Sequence, residues 1–226
     1  MNRFLITEGN DPYENLALEE LLFETQGDGA TFYLWQNERT VVIGRNQNAW
    51  RECRVELLES EDGKLARRSS GGGAVFHDLG NLNFTFLLPR ENYDLVRQLG
   101  VIQKAAAKFG IETSFTGRND LVLTETGAKF SGNAFRFSNS VALHHGTILI
   151  SVDFANLGRY LAPSKMKLEA KGVKSVVSRV ANLGELNPAL NVETMKRALA
   201  EAFAEEYGPY EPHSWELIDK DKLEQK

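Results

Sequence analysis

The chain has 226 residues, 42% of them hydrophobic and 25% charged, with a formal net charge of −5 at pH 7. That length favours one domain, or one with a small annex, and buries roughly 70–75% of its unfolded surface. A single cysteine, Cys53, excludes an internal disulfide and any multi-cysteine metal site. Mild acidity disfavours polyanion binding through bulk charge. Residues Met1–Glu8 lack the apolar stretch of a signal peptide, and no apolar run reaches the length of a membrane span. The expectation is a soluble, cytoplasmic protein with neither nucleic acid nor membrane as partner.

In chain order, Asp11-Pro12-Tyr13-Glu14 opens a helix: Asp11 can cap it, Pro12 suits its first position and Glu14 its positive end. Leu16, Leu18, Leu21 and Leu22 form its apolar face, and Gly27 ends it. Two β-type runs, Thr31–Trp35 and Thr40–Ile43, flank the polar Gln36–Arg39 and predict a hairpin. Ala74–Phe76 and Leu82–Leu88 predict a second hairpin, with Leu82, Phe84, Phe86 and Leu88 on one face. The three–four spacing of Leu95, Leu99, Ile102, Ala106 and Phe109 predicts a helix from Tyr93 to Phe109, stopped at Gly110. Strands follow at Leu121–Leu123 and Val141–Ile150, and a last helix starts near Asn191 and runs to Tyr207. The fold class is therefore α/β (α+β), a mixed, largely antiparallel sheet with flanking helices. The domain is expected over 1–208, with 209–226 a linker or domain edge.

The most informative stretch is Arg67-Arg68-Ser69-Ser70-Gly71-Gly72-Gly73-Ala74-Val75-Phe76-His77-Asp78. Three glycines let backbone approach a ligand, and the arginines and hydroxyls supply donors for phosphate or carboxylate. No Gly-Lys-Ser/Thr follows, so this is not a Walker A loop, and a dinucleotide fingerprint lacks its third glycine. The plainer reading is a flexible turn beside solvated arginines. Lys129, after the turn Glu125–Ala128, is either a surface lysine or a group that small neighbours let a ligand approach. Asp120 is a turn cap or a Mg²⁺ ligand beside phosphates. His144 and His145, adjacent on a strand, point to opposite faces and cannot easily share a metal. His77 with Asp78 is a catalytic pair or a backbone cap. Arginines beside Cys53 would lower its pKa and permit an acyl thioester, although no histidine is near in sequence. Lys165, Lys167, Lys171, Lys174 and Arg179 make a locally basic segment that could close over a phosphoryl group or meet an acidic protein.

Together, residues 67–81, Gly117-Arg118-Asn119-Asp120-Leu121, Lys129–Ala134 and His144-His145-Gly146-Thr147 resemble the lipoate–protein ligase A family. So do Asn15–Glu20, Leu34-Trp35, Val42–Arg45 and Ser178–Leu183, in order, from near residue 10 to past 205. The resemblance implies a fold shared with biotin–protein ligase catalytic domains. It implies two-step chemistry: lipoate and ATP, with Mg²⁺, give lipoyl-AMP and pyrophosphate, and the acyl group passes to a lysine of a lipoyl domain. Acceptors would be E2 subunits of 2-oxoacid dehydrogenase complexes and the glycine cleavage H protein.

By the same resemblance Lys129 is catalytic, contacting the acyl carbonyl and phosphate sides of the adenylate. Arg68, Ser70, Gly73, Ala74, Val75, Phe76, Asn81, Asp120 and Lys129 would bind ATP or the adenylate, with Asp120 near Mg²⁺. Leu16, Glu19, Trp35, Arg68, His77, Lys129 and His145 would bind lipoate, whose tail needs a mostly apolar tunnel. Many family members carry a small C-terminal domain, and this chain stops about where it would begin. Three explanations stand: a longer chain cut short, a small domain on a separate polypeptide, or a transferase that accepts ready-made activated acyl groups. The rival chemistry is a lipoyl or octanoyl transferase acting through Cys53 without ATP. A rival of another class is a non-catalytic nucleotide or nucleic-acid binder.

Overall fold

The computed structural model describes residues 1–116, 120–161 and 180–212. Eight strands form the main sheet: β1 (Asn2–Ile6), β2 (Thr31–Trp35), β6 (Asn81–Pro89), β7 (Thr113–Thr116), β8 (Asp120–Leu123), β9 (Lys129–Phe137), β10 (Val141–Leu149) and β11 (Tyr210–Pro212). Their order is β11-β1-β2-β6-β10-β9-β8-β7. β1 runs parallel to β11 and β2, and every pairing from β2 to β7 is antiparallel. A small second sheet, β4-β3-β5, holds β3 (Thr40–Ile43) between β4 (Lys64–Arg67) and β5 (Val75–His77). The mixed, largely antiparallel architecture is the one the sequence predicts.

Both faces of the main sheet are covered, so its central strands are buried on both sides. On one face Phe32, Phe84, Phe86 and Ile148 pack with α4 (Leu95–Ala107) and α6 (Val192–Tyr207). On the other, Tyr33, Trp35, Leu87 and Leu143 pack against α1 (Pro12–Glu24). A third cluster joins Val41, Ile43 and Phe76 to Cys53, Val55, Leu58 and Tyr160, under α2 (Ala49–Glu52), α3 (Val55–Ser60) and α5 (Phe154–Tyr160). Helix starts follow local chemistry. Asp11 accepts from the Tyr13 and Glu14 amides, Asp94 from Arg97, and Asn191 forms a capping box with Thr194.

The two expected hairpins do not form. β2 and β6 lie in the main sheet, whereas β3 and β5 pair in the small one. Tertiary contacts decide this. In the first link Asn37 is fully buried between Asn15 and His77, Arg39 takes φ 34°, and the Glu38 amide bonds Asn10, so the chain leaves the sheet. In the second, Asp78 accepts from the Gly80 and Asp153 amides, and a Cβ on Gly80 would lie 2.2 Å from the Ser151 carbonyl oxygen. That turn is built to dock on Ser151–Asp153. Residues 210–212, inside the segment expected to lead away from the domain, add the edge strand β11.

Candidate active site

The C-terminal end of β4 carries Arg67 and Arg68 into the glycine loop; Arg67 ties the segment after β3, and Arg68 ties the glycine loop's own backbone. Arg67 Nη1 donates to the carbonyls of Gly44, Arg45 and Gln47 at 2.8–3.1 Å. Arg68, 7% exposed, gives Nε to Ser70 Oγ (3.1 Å) and Nη2 to the carbonyls of Gly71 (2.8 Å) and Gly73 (2.7 Å). Burial lowers its pKa to about 10, against the opposing pull of the Glu19 carboxylate. Gly72 sits at φ 96°, where a Cβ would lie 2.8 Å from Arg68 Nη2. The loop is an organised cradle rather than a flexible turn.

Behind the loop runs a buried chain of hydrogen bonds. Trp35 Nε1 donates to Thr85 Oγ1 (3.1 Å), and Thr85 donates to Glu19 Oε1 (2.6 Å). The same oxygen meets His145 Nδ1 (2.8 Å), and His145 Nε2 lies 2.6 Å from Ser70 Oγ. Burial pushes the Glu19 carboxyl up, but His145, Thr85 and Arg68 outweigh it and hold it below the ordinary carboxylate range. His144 points to the opposite face, between Gln98 (2.7 Å) and Asn133 (2.8 Å), as strand alternation requires.

In front of the loop is a cavity of about 200 Å³. Leu16, Trp35, Val42 and Val75 give it apolar walls, Gly72–Ala74 form one rim, and Arg68, His77, Lys129 and His145 reach it. Lys129 opens β9, its Nζ 2.7 Å from Asp120 Oδ1 on β8. A Cβ on Gly132 would come within 2.9 Å of that Nζ, so the glycine gives the lysine room to lie across its strand. A mostly apolar cleft with Lys129, Arg68 and a glycine cradle at its rim suits a small apolar acid whose carboxyl meets a phosphate.

A model of the lipoyl protein ligase A/B catalytic domain matches residues 11–204. The chain belongs to this family. Lipoate-protein ligase A of Psychrobacter cryohalolentis is 48% identical over 206 residues, covering 91% of this chain and 60% of that protein. Lipoate-protein ligase A of Blochmanniella pennsylvanica is 46% identical over 210 residues, covering 91% and 62%. The chain thus spans about 60% of the length of these curated relatives. Among solved structures, P. falciparum LipL1 in complex with lipoate superposes with TM-score 0.81 at 32% identity, covering 94% of this chain and 65% of that one. A bi-partite lipoate protein ligase of Thermoplasma acidophilum, described with its E2 lipoyl domain, gives TM-score 0.84 at 26% identity, covering 99% and 89%.

Within this lipoyl protein ligase A/B catalytic domain the expected site residues fall into two groups. Leu16, Trp35, Arg68, Gly73, Ala74, Val75, His77, Lys129 and His145 line the one cavity. The others do not line it. Glu19 and Ser70 act behind it through His145, the Phe76 ring packs in the small-sheet core, Asn81 donates to Asn83 (2.9 Å), and Asp120 holds Lys129. His77 and Asp78 are no catalytic pair: His77 bonds Asn37, while Asp78 caps backbone amides. Cys53 is 3% exposed in the small-sheet core, and burial, with Glu59, raises its pKa. The lowering expected from flanking arginines is thereby overturned. Residues 117–119, the basic segment 165–179 and His213 lie outside the described residues.

Sequence reasoning missed Val42 and Asn83 as cavity walls, and Asn37, Thr85 and Gln98 as buried partners. For Asn83 and Thr85 a signal existed: polar residues alternate with Leu82, Phe84 and Phe86 on β6, which marks a polar patch on the opposite face. Among the described residues no three His, Cys, Asp or Glu side chains cluster as a metal site. The single carboxylate of Asp120 fits Mg²⁺ held chiefly by phosphate oxygens and water. No described helix is long and apolar enough to cross a membrane.

Proposed function

We propose that this chain joins lipoate to ATP as lipoyl-AMP and passes the lipoyl group to a lysine of a lipoyl domain. The observation that carries the reading is Lys129, set beside the glycine cradle on a cavity walled by Leu16, Trp35 and Val42. In the first step a lipoate carboxylate oxygen attacks the α-phosphorus, the bond to the β-phosphate oxygen breaks, and pyrophosphate leaves. Both reactants are anionic, so their repulsion is the main obstacle. The Lys129 ammonium offsets that charge and holds the reactants in line, and the cradle organised by Arg68 receives phosphate oxygens. Asp120 keeps Lys129 aimed and would share Mg²⁺, which when bound neutralises phosphate charge. In the second step a neutral lysine amine attacks the acyl carbonyl, the bond to AMP breaks and the amine loses a proton to solvent. No enzyme nucleophile is needed, which agrees with the burial of Cys53 outside the cavity.

The acceptor we infer is an E2 lipoyl domain or the H protein, supported by the lipoyl domain that accompanies the Thermoplasma ligase. That ligase is bi-partite, which supports a separate small domain as a partner of this chain. The test incubates the chain with an acceptor domain and either lipoate, ATP and Mg²⁺ or preformed lipoyl-AMP, and weighs the acceptor by mass spectrometry. One added lipoyl group in both arms is expected of a full ligase. Addition from lipoyl-AMP alone identifies a transferase that needs a partner for activation. An unmodified acceptor in both arms refutes the reading.

A further inference from the structure

The cavity draws its two halves from different sheets. Trp35, Lys129 and His145 stand on the main sheet, whereas the glycine loop joins β4 to β5 of the small one. Attack of a carboxylate on a phosphate needs those halves set to within about 0.5 Å of each other's proper place. What ties residues 69–73 to the main sheet is a hydrogen bond between Ser70 Oγ and His145 Nε2 at 2.6 Å, and both side chains are buried.

Donor and acceptor roles along that tie follow from its ends. Arg68 Nε can only donate, so Ser70 Oγ accepts from it at 3.1 Å. Ser70 then turns its own proton to the nearer acceptor, His145 Nε2 rather than the Gly71 carbonyl at 3.4 Å. With Nε2 accepting, the ring proton lies on Nδ1 and goes to Glu19 Oε1 at 2.8 Å. Trp35 Nε1, also a pure donor, sets the other arm in the same way. It gives to Thr85 Oγ1 at 3.1 Å, and Thr85 gives to the same Glu19 oxygen at 2.6 Å. Two chains of donors, one from the glycine loop and one from the cavity wall, thus end on a single carboxylate oxygen of α1. Glu19 itself is 2% exposed and does not line the cavity.

We propose that Glu19 is a positioning residue: through His145 and Ser70 it fixes the glycine loop relative to Lys129, so that carboxylate and phosphate meet in line. The reaction it serves rests on the proposed function, whereas the tether is a property of the fold. A neutral amide in place of Glu19 keeps the shape and removes the charge that makes both bonds strong.

The test uses Glu19→Gln, Ser70→Ala and the double variant. Calorimetry measures Kd for lipoate, which occupies the cavity alone, and for a non-hydrolysable lipoyl-AMP analogue with a sulfamoyl link, which spans cavity and loop. Each single variant should weaken the analogue roughly tenfold, the scale for groups in one hydrogen-bond network, and change lipoate less than about threefold. Because both residues stand on one chain, the double variant should lose no more than the worse single. Equal weakening of both ligands makes Glu19 part of the tail pocket alone, and additive losses separate it from Ser70. Either result overturns the proposal. Nitrogen-15 relaxation reads the tether without a ligand. In each variant the order parameters of the Gly71–Gly73 amides should fall from about 0.85 to below about 0.6, while those of α4 stay near 0.85. If Glu19→Gln loosens α4 as well, Ser70→Ala, the smaller change, decides. A loop that stays as ordered as in the natural chain overturns the tether. If the natural chain binds neither ligand, the proposed function fails and the order parameters alone judge the tether.

Discussion

Lowering the pH from about 7.5 to about 5.5 should destabilise the fold through two histidines that have no room for a charge. His144 is fully buried among the rings of Phe84, Phe86 and Phe135, and His77 is 3% exposed. Burial lowers both from 6.5 to about 3, aided by His145 at His144 and by Arg68 and His145 at His77. As pH falls below 6.5 the unfolded chain takes up two protons that the folded chain refuses until near pH 3. Their contribution is therefore intact above 6.5 and is lost between 6.5 and about 3. Each histidine loses about 1.4 kcal/mol per pH unit, so the pair removes about 2.7 kcal/mol by about pH 5.5. The depressed carboxyls of Asp11 and Glu19 act in the same direction only at lower pH. Urea unfolding followed by tryptophan fluorescence at several pH values reads this directly. A stability flat to within about 0.5 kcal/mol over that range would refute the reasoning. His144→Leu should halve the slope.

Three further outcomes are expected. Lys129→Ala should slow lipoyl-AMP formation roughly 10²–10³-fold, the scale of one lost charge-stabilising donor, read by pyrophosphate release. Near-normal rates would remove Lys129 from the chemistry. Gly72→Ala, at φ 96° and against Arg68, should cost about 1–2 kcal/mol of stability and weaken nucleotide binding, by denaturant titration and calorimetry. Cys53→Ser should keep lipoyl transfer within about twofold per folded molecule and lose about 1–2 kcal/mol for an unpaired buried hydroxyl. Abolished transfer at full folding would restore the thioester route.

The sequence was most legible where local chemistry decides the outcome. The Asp11 cap, the three–four spacing of Leu95–Ala106 and the alternation on β6 each set an element that packs as expected. It was least legible where distant residues decide. Nothing between Trp35 and Thr40 says that Asn37 will be held by Asn15 and His77, and that contact turns a hairpin into a crossing between sheets. β9 was hidden for a similar reason: small and polar Ser131, Gly132 and Asn133 look like loop, yet Gly132 and Asn133 line a cavity rather than a core. At the site, the motifs named the rim and walls but not the division of labour. Arg68 resembles a free phosphate ligand in sequence and proves to be the tie of its own loop. Glu19, expected at the lipoyl tail, does not line the cavity and meets it through His145 and, by way of Thr85, through Trp35.

The central claim is that one cavity holds the acyl tail between Trp35 and Val42 while Lys129 meets the activated carboxyl at the glycine loop. A crystal structure of the chain with lipoyl-AMP tests it most directly. The expected result has Lys129 Nζ between the acyl carbonyl and the phosphate, Gly73–Val75 along the phosphate, and the dithiolane beside Trp35 and His77. An adenylate bound elsewhere, or a tail that leaves the Trp35 end empty, would contradict it.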